Sequence, residues 1–355
     1  MLVRSDLVIL IGGGAFVALA GITFYAHATA VLAFACAAVA VALLAALVGR
    51  SVEQMGDRFG AGATGVLQSA LGNLPELFIA FFALRAGLVT VVQFAIIGSM
   101  LANMLLVMGA AFVVGGLRNG PQKFQKSRAR DTCVLLTLAT AALVLPSVAQ
   151  YSHSPAERHI RVLSDIVAVV LILIFVLSLP AALRRNKGGT AEAEAEAPVH
   201  DAPRWPLWFA VGALVVASGA AALVSDWFVS ALQPTIDTLH ISQAFAGLVV
   251  VAIAGNAIEN VVGIQLAWKN QADYALSVII NSPLQIALVL APALVLLSLL
   301  TATTLTLVFA PLLVAAVVVT VLIVSLIVFD GESNWLEGAT LIGLYVIIAA
   351  VFWWG

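Results

Sequence analysis

Gly-Asn-x-x-Glu occurs twice in this chain, at Gly72 to Glu76 and at Gly255 to Glu259, each time inside an apolar stretch. An ionisable side chain in hydrocarbon costs about 2.5–3.5 kcal/mol on insertion scales, so Glu76 and Glu259 mark a path for an ion or substrate. At helical spacing each glutamate shares a face with the asparagine three residues before it, Asn73 or Asn256. The following apolar stretch in each half adds a second polar strip. It consists of Ser99 and Asn103 in the first half, and of Ser277, Asn281, Ser282 and Gln285 in the second. The step in numbering that takes Glu76 to Glu259 also takes Ser99 to Ser282. Carboxylate, amide and hydroxyl oxygens suit a hard cation: Ca2+ takes roughly six to eight of them, whereas softer metals call for His or Cys. His27, His153, His159, His200 and His240 all fall at span ends or in connections. Burial also penalises a charged carboxylate, so protons compete with a cation for the same oxygens. Glu76 and Glu259 are therefore candidates for both metal ligation and proton coupling. Asn73, Asn256, Ser99, Asn103, Ser282 and Gln285 are the further candidate ligands. An amide such as Asn103 or Gln285 can equally serve as interhelical glue, and Met100, Met104 and Met108 read as core.

Composition decides the solvent in which these residues sit. The chain is 63% hydrophobic and 10% charged with a mean hydropathy of +1.11, which excludes a water-soluble domain. Stretches of about 20 apolar residues, the length of a spanning helix, follow one another with short breaks. The hydropathy predicts an all-α polytopic membrane protein of about eleven spans. Six run over Leu7 to Tyr25, Thr29 to Val48, Gly62 to Ala86, Val89 to Gly115, Thr132 to Gln150 and Val162 to Leu183. Five more run over Leu207 to Val229, Ile241 to Trp268, Tyr274 to Leu300, Thr304 to Val328 and Trp335 to Trp354. The first begins soon after Met1, has only Arg4 before it and shows no cleavage pattern, so it is expected to be retained. Cys36 and Cys133 lie in or beside spans and imply no disulfide framework. With alternating spans, Lys and Arg gather on the N-terminal side, leaving only Arg85, Arg158 and Arg161 on the other. The positive-inside rule then predicts a cytoplasmic N-terminus and an external C-terminus.

One connection, residues 184–206, is polar and carries Glu192, Glu194 and Glu196 in an Ala-Glu alternation. It reads as a cytoplasmic acidic linker, since alternate spacing splays those carboxylates around a helix and makes a poor calcium loop. It separates two sets of five spans, residues 29–183 and 207–355, once the first helix, residues 1–28, is set aside. A five-span copy crosses the membrane an odd number of times, so the second set must be inverted relative to the first. Inverted repeats place sites near the midplane on interrupted helices. Gly72 and Pro75 supply the interruption in the first half; the second half has only Gly255.

These residues resemble the cation/proton exchanger branch of the calcium/cation antiporter superfamily. The resemblance rests on Val52-Glu53-Gln54-Met55-Gly56-Asp57-Arg58-Phe59-Gly60, on Gly72-Asn73-Leu74-Pro75-Glu76-Leu77 through Gly87, and on Ile97-Gly98-Ser99-Met100-Leu101-Ala102-Asn103. In the second half it rests on Gly255-Asn256-Ala257-Ile258-Glu259, Gln285-Ile286-Ala287-Leu288 and Asp330-Gly331-Glu332-Ser333-Asn334-Trp335-Leu336-Glu337-Gly338. It implies exchange of Ca2+ for H+ by alternating access in a cell membrane, with Glu76 and Glu259 as the paired acids. Two departures stand out: Asn260 follows Glu259 where the family usually has His, and Asn281-Ser282-Pro283 replaces Gly-Ser-Ser. A Na+/Ca2+ exchanger of the same fold is the alternative, and a cation channel a more remote one. No enzyme, cofactor or nucleic-acid partner is expected: His-Glu-x-x-His, Gly-x-Ser-x-Gly and the phosphate-binding Gly-x-x-x-x-Gly-Lys-Ser/Thr are missing, and every Lys lies in a connection.

Overall fold

A computed structural model of the chain describes residues 3–59, 71–185 and 204–354. Helix α1 spans Arg4–Tyr25, α2 Ala30–Phe59, α3 Leu74–Arg85, α4 Val89–Asn119, α5 Lys126–Tyr151 and α6 Ile160–Arg185. Helix α7 spans Leu207–Leu239, α8 Gln243–Gly255, α9 Ala257–Trp268, α10 Ala272–Ser298, α11 Pro311–Asp330 and α12 Trp335–Val351. Among the described residues, eight of these are long and apolar enough to cross a membrane, or nine when α8 and α9 count as one broken span. The chain is thus a helical, multi-pass membrane protein. Its helices carry many exposed Leu, Ile and Val side chains, which suit hydrocarbon rather than water. His27, His153 and His240 take left-handed backbone just after α1, α5 and α7, the conformation that stops a helix. The acidic run of the linker, Glu192, Glu194 and Glu196, lies outside the described residues.

By packing, the chain divides into two compact units, Met1–Phe82 with Leu173–Thr238, and Ala83–Ile172 with Leu239–Gly355. In the first unit α1 lies along α2. Asp6 is buried and accepts hydrogen bonds from the Trp205 indole N–H at 3.1 Å and the Val3 N–H at 3.2 Å, with Arg50 Nε of α2 at 3.7 Å. Those partners make a buried carboxylate tolerable. One turn along α2, Gln54 Oε1 accepts the backbone N–H groups of Arg204 (2.7 Å) and Trp205 (3.0 Å). The chain leading into α7 is therefore fastened to both α1 and α2. Further along, Trp227 of α7 fills the space left by Gly21 and stacks on Phe24 at 5.8 Å between ring centroids.

The second unit holds α4 against α12, where the backbones meet at Gly109 and Gly338 because a Cβ on either would strike the other's carbonyl oxygen. Helix α12 starts with a reciprocal cap. Asn334 Oδ1 accepts the N–H groups of Leu336 and Glu337, and Glu337 Oε2 accepts the Asn334 N–H. Gly331, at φ 73°, ends α11 in the left-handed region. Beyond it β2 (Glu332–Ser333) pairs antiparallel with β1 (Gln122–Lys123).

One expected span starts late. The hydropathy predicts a helix from Thr304, but α11 begins at Pro311 and the residues before it are not helical. Leu305, Leu307 and Phe309 are buried while Thr304, Thr306, Val308 and Ala310 between them are less so, the two-residue period of an extended chain. Non-helical backbone at membrane depth survives only where protein groups satisfy it. Three serines do so here: Leu305 N–H donates to Ser298 Oγ at 2.9 Å, Leu307 N–H to Ser164 Oγ at 3.0 Å, and Phe309 N–H to Ser147 Oγ at 2.9 Å. The Gln93 amide donates to the carbonyls of Thr306 (3.2 Å) and Val308 (2.8 Å).

The two halves of the chain keep register in their backbone. The step that takes Glu76 to Glu259 takes α3, Leu74–Arg85, onto α9, Ala257–Trp268, and the first residue of α4, Val89, onto the first of α10, Ala272. It takes Gly87, at φ 79°, onto Asn270, at φ 60°. Glycine and asparagine are the residues that accept this conformation most readily.

Candidate functional site

Helix α8 breaks at Asn256, whose φ −95° and ψ 17° leave the helical region, and the chain bends by 61° between α8 and the body of α9. Asn256 contributes to the break itself. Its backbone N–H and its side-chain Nδ2 both donate to the Ala252 carbonyl, at 3.2 and 2.9 Å, so the side chain takes up a helical acceptor. In the first half the turn falls at Gly72–Asn73, after which Pro75 sits in the first turn of α3, where its missing N–H costs nothing. Glu76 and Glu259 occupy corresponding positions as the third residue of α3 and of α9. A helix N-terminus carries a partial positive charge suited to a carboxylate. Glu76 is buried; the Glu259 side chain lies outside the described residues.

Four of the predicted ligands meet in the second unit. Asn103 of α4 donates from Nδ2 to Asn256 Oδ1 at 3.0 Å, to Ser282 Oγ of α10 at 3.1 Å and to the Ser99 carbonyl at 3.0 Å. Asn256 Nδ2 donates to Ser99 Oγ at 2.8 Å, and Ser282 Oγ to Asn256 Oδ1 at 3.3 Å. All four side chains are buried, and Asn103 and Asn256 are 0% exposed. Gln285, one turn beyond Ser282 on α10, is half-buried, as is Asn73 beside Glu76. Asn281, which shares the polar strip of α10, donates instead to Ser277 at 3.4 Å.

Backbone irregularity surrounds this quartet. Helix α4 passes through a π-helical stretch at Ala102–Val107, α8 through one at Ala246–Val251 and α10 through one at Ile286–Leu290. Such stretches are concentrated at functional sites because they re-aim side chains and loosen the hydrogen-bond ladder. The close crossing that brings α4 to α8 depends on Gly98, which stands in the Ile97 to Asn103 motif, and on Gly247, which belongs to no motif. A Cβ on Gly98 would meet the Leu248 backbone, and one on Gly247 would meet the Val91 carbonyl. Gly98 precedes Ser99, so the crossing sets the depth of the quartet. Its signal in the sequence was glycine inside an apolar span, which alone does not distinguish a contact from a kink.

Interrupted helices that bring buried polar side chains together inside an apolar, multi-pass bundle are the build of a secondary transporter. The sequence matches the family described as sodium/calcium exchanger protein over residues 29–184 and 209–354, and the chain belongs to that family. Among its relatives is a Ca(2+)/H(+) antiporter of Aphanothece halophytica, 34% identical over 95% of this chain and 94% of the relative. The native YfkE structure superposes with a TM-score of 0.82 at 33% identity, covering 97% of this chain and 99% of that one. The sodium-calcium exchanger NCX_Mj, at a TM-score of 0.56 and 20% identity over 88% of this chain and 98% of that one, shares the fold.

Proposed function

We propose that this protein exchanges Ca2+, and other divalent cations of similar character, for H+ across a cell membrane. The observation that carries the reading is the quartet of Ser99, Asn103, Asn256 and Ser282, buried neutral polar side chains drawn from three separate stretches of chain. Hard oxygen donors without His or Cys select a hard cation, and the name of the 34% identical relative, a Ca(2+)/H(+) antiporter, supports calcium with proton coupling. Glu76 and Glu259 act as the paired acids: ionised they join the ligand set, and protonated they release it. Asn73 and Gln285 complete the oxygen set. The matching backbone register of the halves supports a duplicated, inverted five-helix unit with α1 added, serving alternating access. The distribution of Lys and Arg supports a cytoplasmic N-terminus, with cation export driven by inward proton movement.

Ca2+ uptake into sodium-free proteoliposomes under an imposed pH gradient tests the reading. Uptake by the parent, abolished in Glu259→Gln and in Glu76→Gln while both variants insert and fold, is the expected result. Uptake by the parent only when a sodium gradient is supplied would move the coupling to Na+. Normal flux in either variant would remove the two-carboxylate mechanism.

A further inference from the structure

The orientation of the two amides in the quartet is fixed by groups that can only accept. Asn256 turns Nδ2 to the Ala252 carbonyl, and Asn103 turns Nδ2 to the Ser99 carbonyl, each four residues back. Rotating either amide would set oxygen against carbonyl oxygen. Asn256 Oδ1 is thereby turned toward Asn103, and it already receives two donors, Asn103 Nδ2 and Ser282 Oγ. The three oxygens around Asn103 Nδ2 stand at 3.0, 3.0 and 3.1 Å, contributed by Ser99, Asn256 and Ser282. The other end of the same amide, Asn103 Oδ1, is buried without a hydrogen-bond partner among the described residues. Leaving a buried acceptor unmade is costly, and it occurs here at the centre of the ligand cluster.

From this geometry we propose that the Asn103 side chain is a tethered stand-in for the cation. Its N–H2 group takes the oxygens of Ser99, Asn256 and Ser282 when no cation does, and when one arrives the side chain withdraws from between them and turns Oδ1 to the ion. The inference rests on the quartet being the transport site. The exchange of donor for ion is geometrically small, because Ca2+–oxygen distances of about 2.3–2.6 Å ask the three oxygens to close in by only about half an ångström. The cluster is thus held together in both conditions, first by hydrogen bonds and then by the ion, and carries the same neutral ligands throughout. A site built this way does not collapse or flood after the cation departs.

The test uses the full chain in nanodiscs, labelled with 15N-asparagine. The side-chain signal of Asn103 is assigned by its loss in Asn103→Asp. Saturating Ca2+ should shift that signal and speed the exchange of its protons with solvent at least about tenfold, the factor that corresponds to a single lost hydrogen bond. Should Asn103→Asp not fold, a Ca2+-loaded structure of the parent decides instead. The proposal expects the amide end facing the Ser99 carbonyl to have left it and an amide oxygen to face the ion. An Asn103 signal that keeps its shift and protection while Asn256 responds to Ca2+ would overturn the stand-in and leave the transport site standing. A protein in which no asparagine responds to Ca2+ and no pH-driven uptake occurs would overturn both.

Discussion

Two buried polar networks lie in the same unit of this protein, and they are satisfied in opposite ways. The extended stretch before α11 is held by Ser147, Ser164, Ser298 and Gln93, whose side chains all bond to backbone groups. The Ser99, Asn103, Asn256 and Ser282 quartet is held mainly by side chains bonding to one another, and it leaves Asn103 Oδ1 without a partner among the described residues. The first arrangement is what non-helical backbone at membrane depth requires. The second serves no backbone need beyond two carbonyls. In an apolar bundle the destination of a buried polar side chain therefore separates structural glue from a candidate ion path. Backbone-directed polarity secures the extended stretch, and the mutual polarity of the quartet, with its unmatched acceptor, is the pattern on which the proposed ion site rests.

The largest effect that would sharpen this contrast is Asn256→Leu. It removes a residue that, like Asn103, touches every other member of the quartet, and two or more lost interactions correspond to a fall in flux of about a hundredfold or more. Leucine tolerates the apolar surroundings, so the variant should still insert, and its unfolding midpoint should move far less than its activity. A variant that loses fold and flux together would place the quartet with the structural networks. Ser147→Ala makes the opposite demand. It strips the Phe309 N–H of its acceptor and the Leu307 carbonyl of a donor at 3.0 Å, a loss of about 1–3 kcal/mol. Equilibrium unfolding in mixed micelles should register it, with Ca2+ flux per folded molecule at the parental level.

The contrast also explains what could be read from the chain beforehand. The quartet was legible because membrane insertion makes any polar residue in a span conspicuous, and because the same pattern recurs at a fixed step. Spacing on a helix then brought Ser99 near Asn103, and the repeated Gly-Asn-x-x-Glu drew attention to Asn256. The extended stretch was not legible in that way. Leu305 to Phe309 is as apolar as a helix, and a short apolar run does not declare its period when its alternating residues are threonine and valine. Pro311 was the available signal, since proline favours the first turn of a helix. Long-range partners such as Gln93 and Ser164 have no trace in local pattern, nor does the fastening of Asp6 to Trp205 across the linker. Hydropathy registers how much is buried but not which buried groups find one another.

The smallest effect is the most discriminating, because it tests cooperativity rather than loss. Thr303 Oγ1 donates to the Leu84 carbonyl at 2.6 Å, at the start of the extended stretch, and Thr303→Val should cost about 0.5–1.5 kcal/mol. Thr303 and Ser147 serve different backbone groups, so the double variant Thr303→Val with Ser147→Ala should be additive to within about 0.5 kcal/mol. Asn256 and Ser282 share a bond and a common neighbour in Asn103. Asn256→Ala with Ser282→Ala should therefore show a coupling of about 0.5–3 kcal/mol in the same unfolding measurement. Ca2+ should enlarge that coupling, since an ion held by both oxygens links them more tightly than a hydroxyl proton does. Coupling of equal size in the two pairs, and indifferent to Ca2+, would mean that the quartet is one more piece of interhelical packing. A coupling confined to Asn256 and Ser282 and strengthened by the cation would mean that the ion, rather than the fold, is the partner those side chains were arranged to meet.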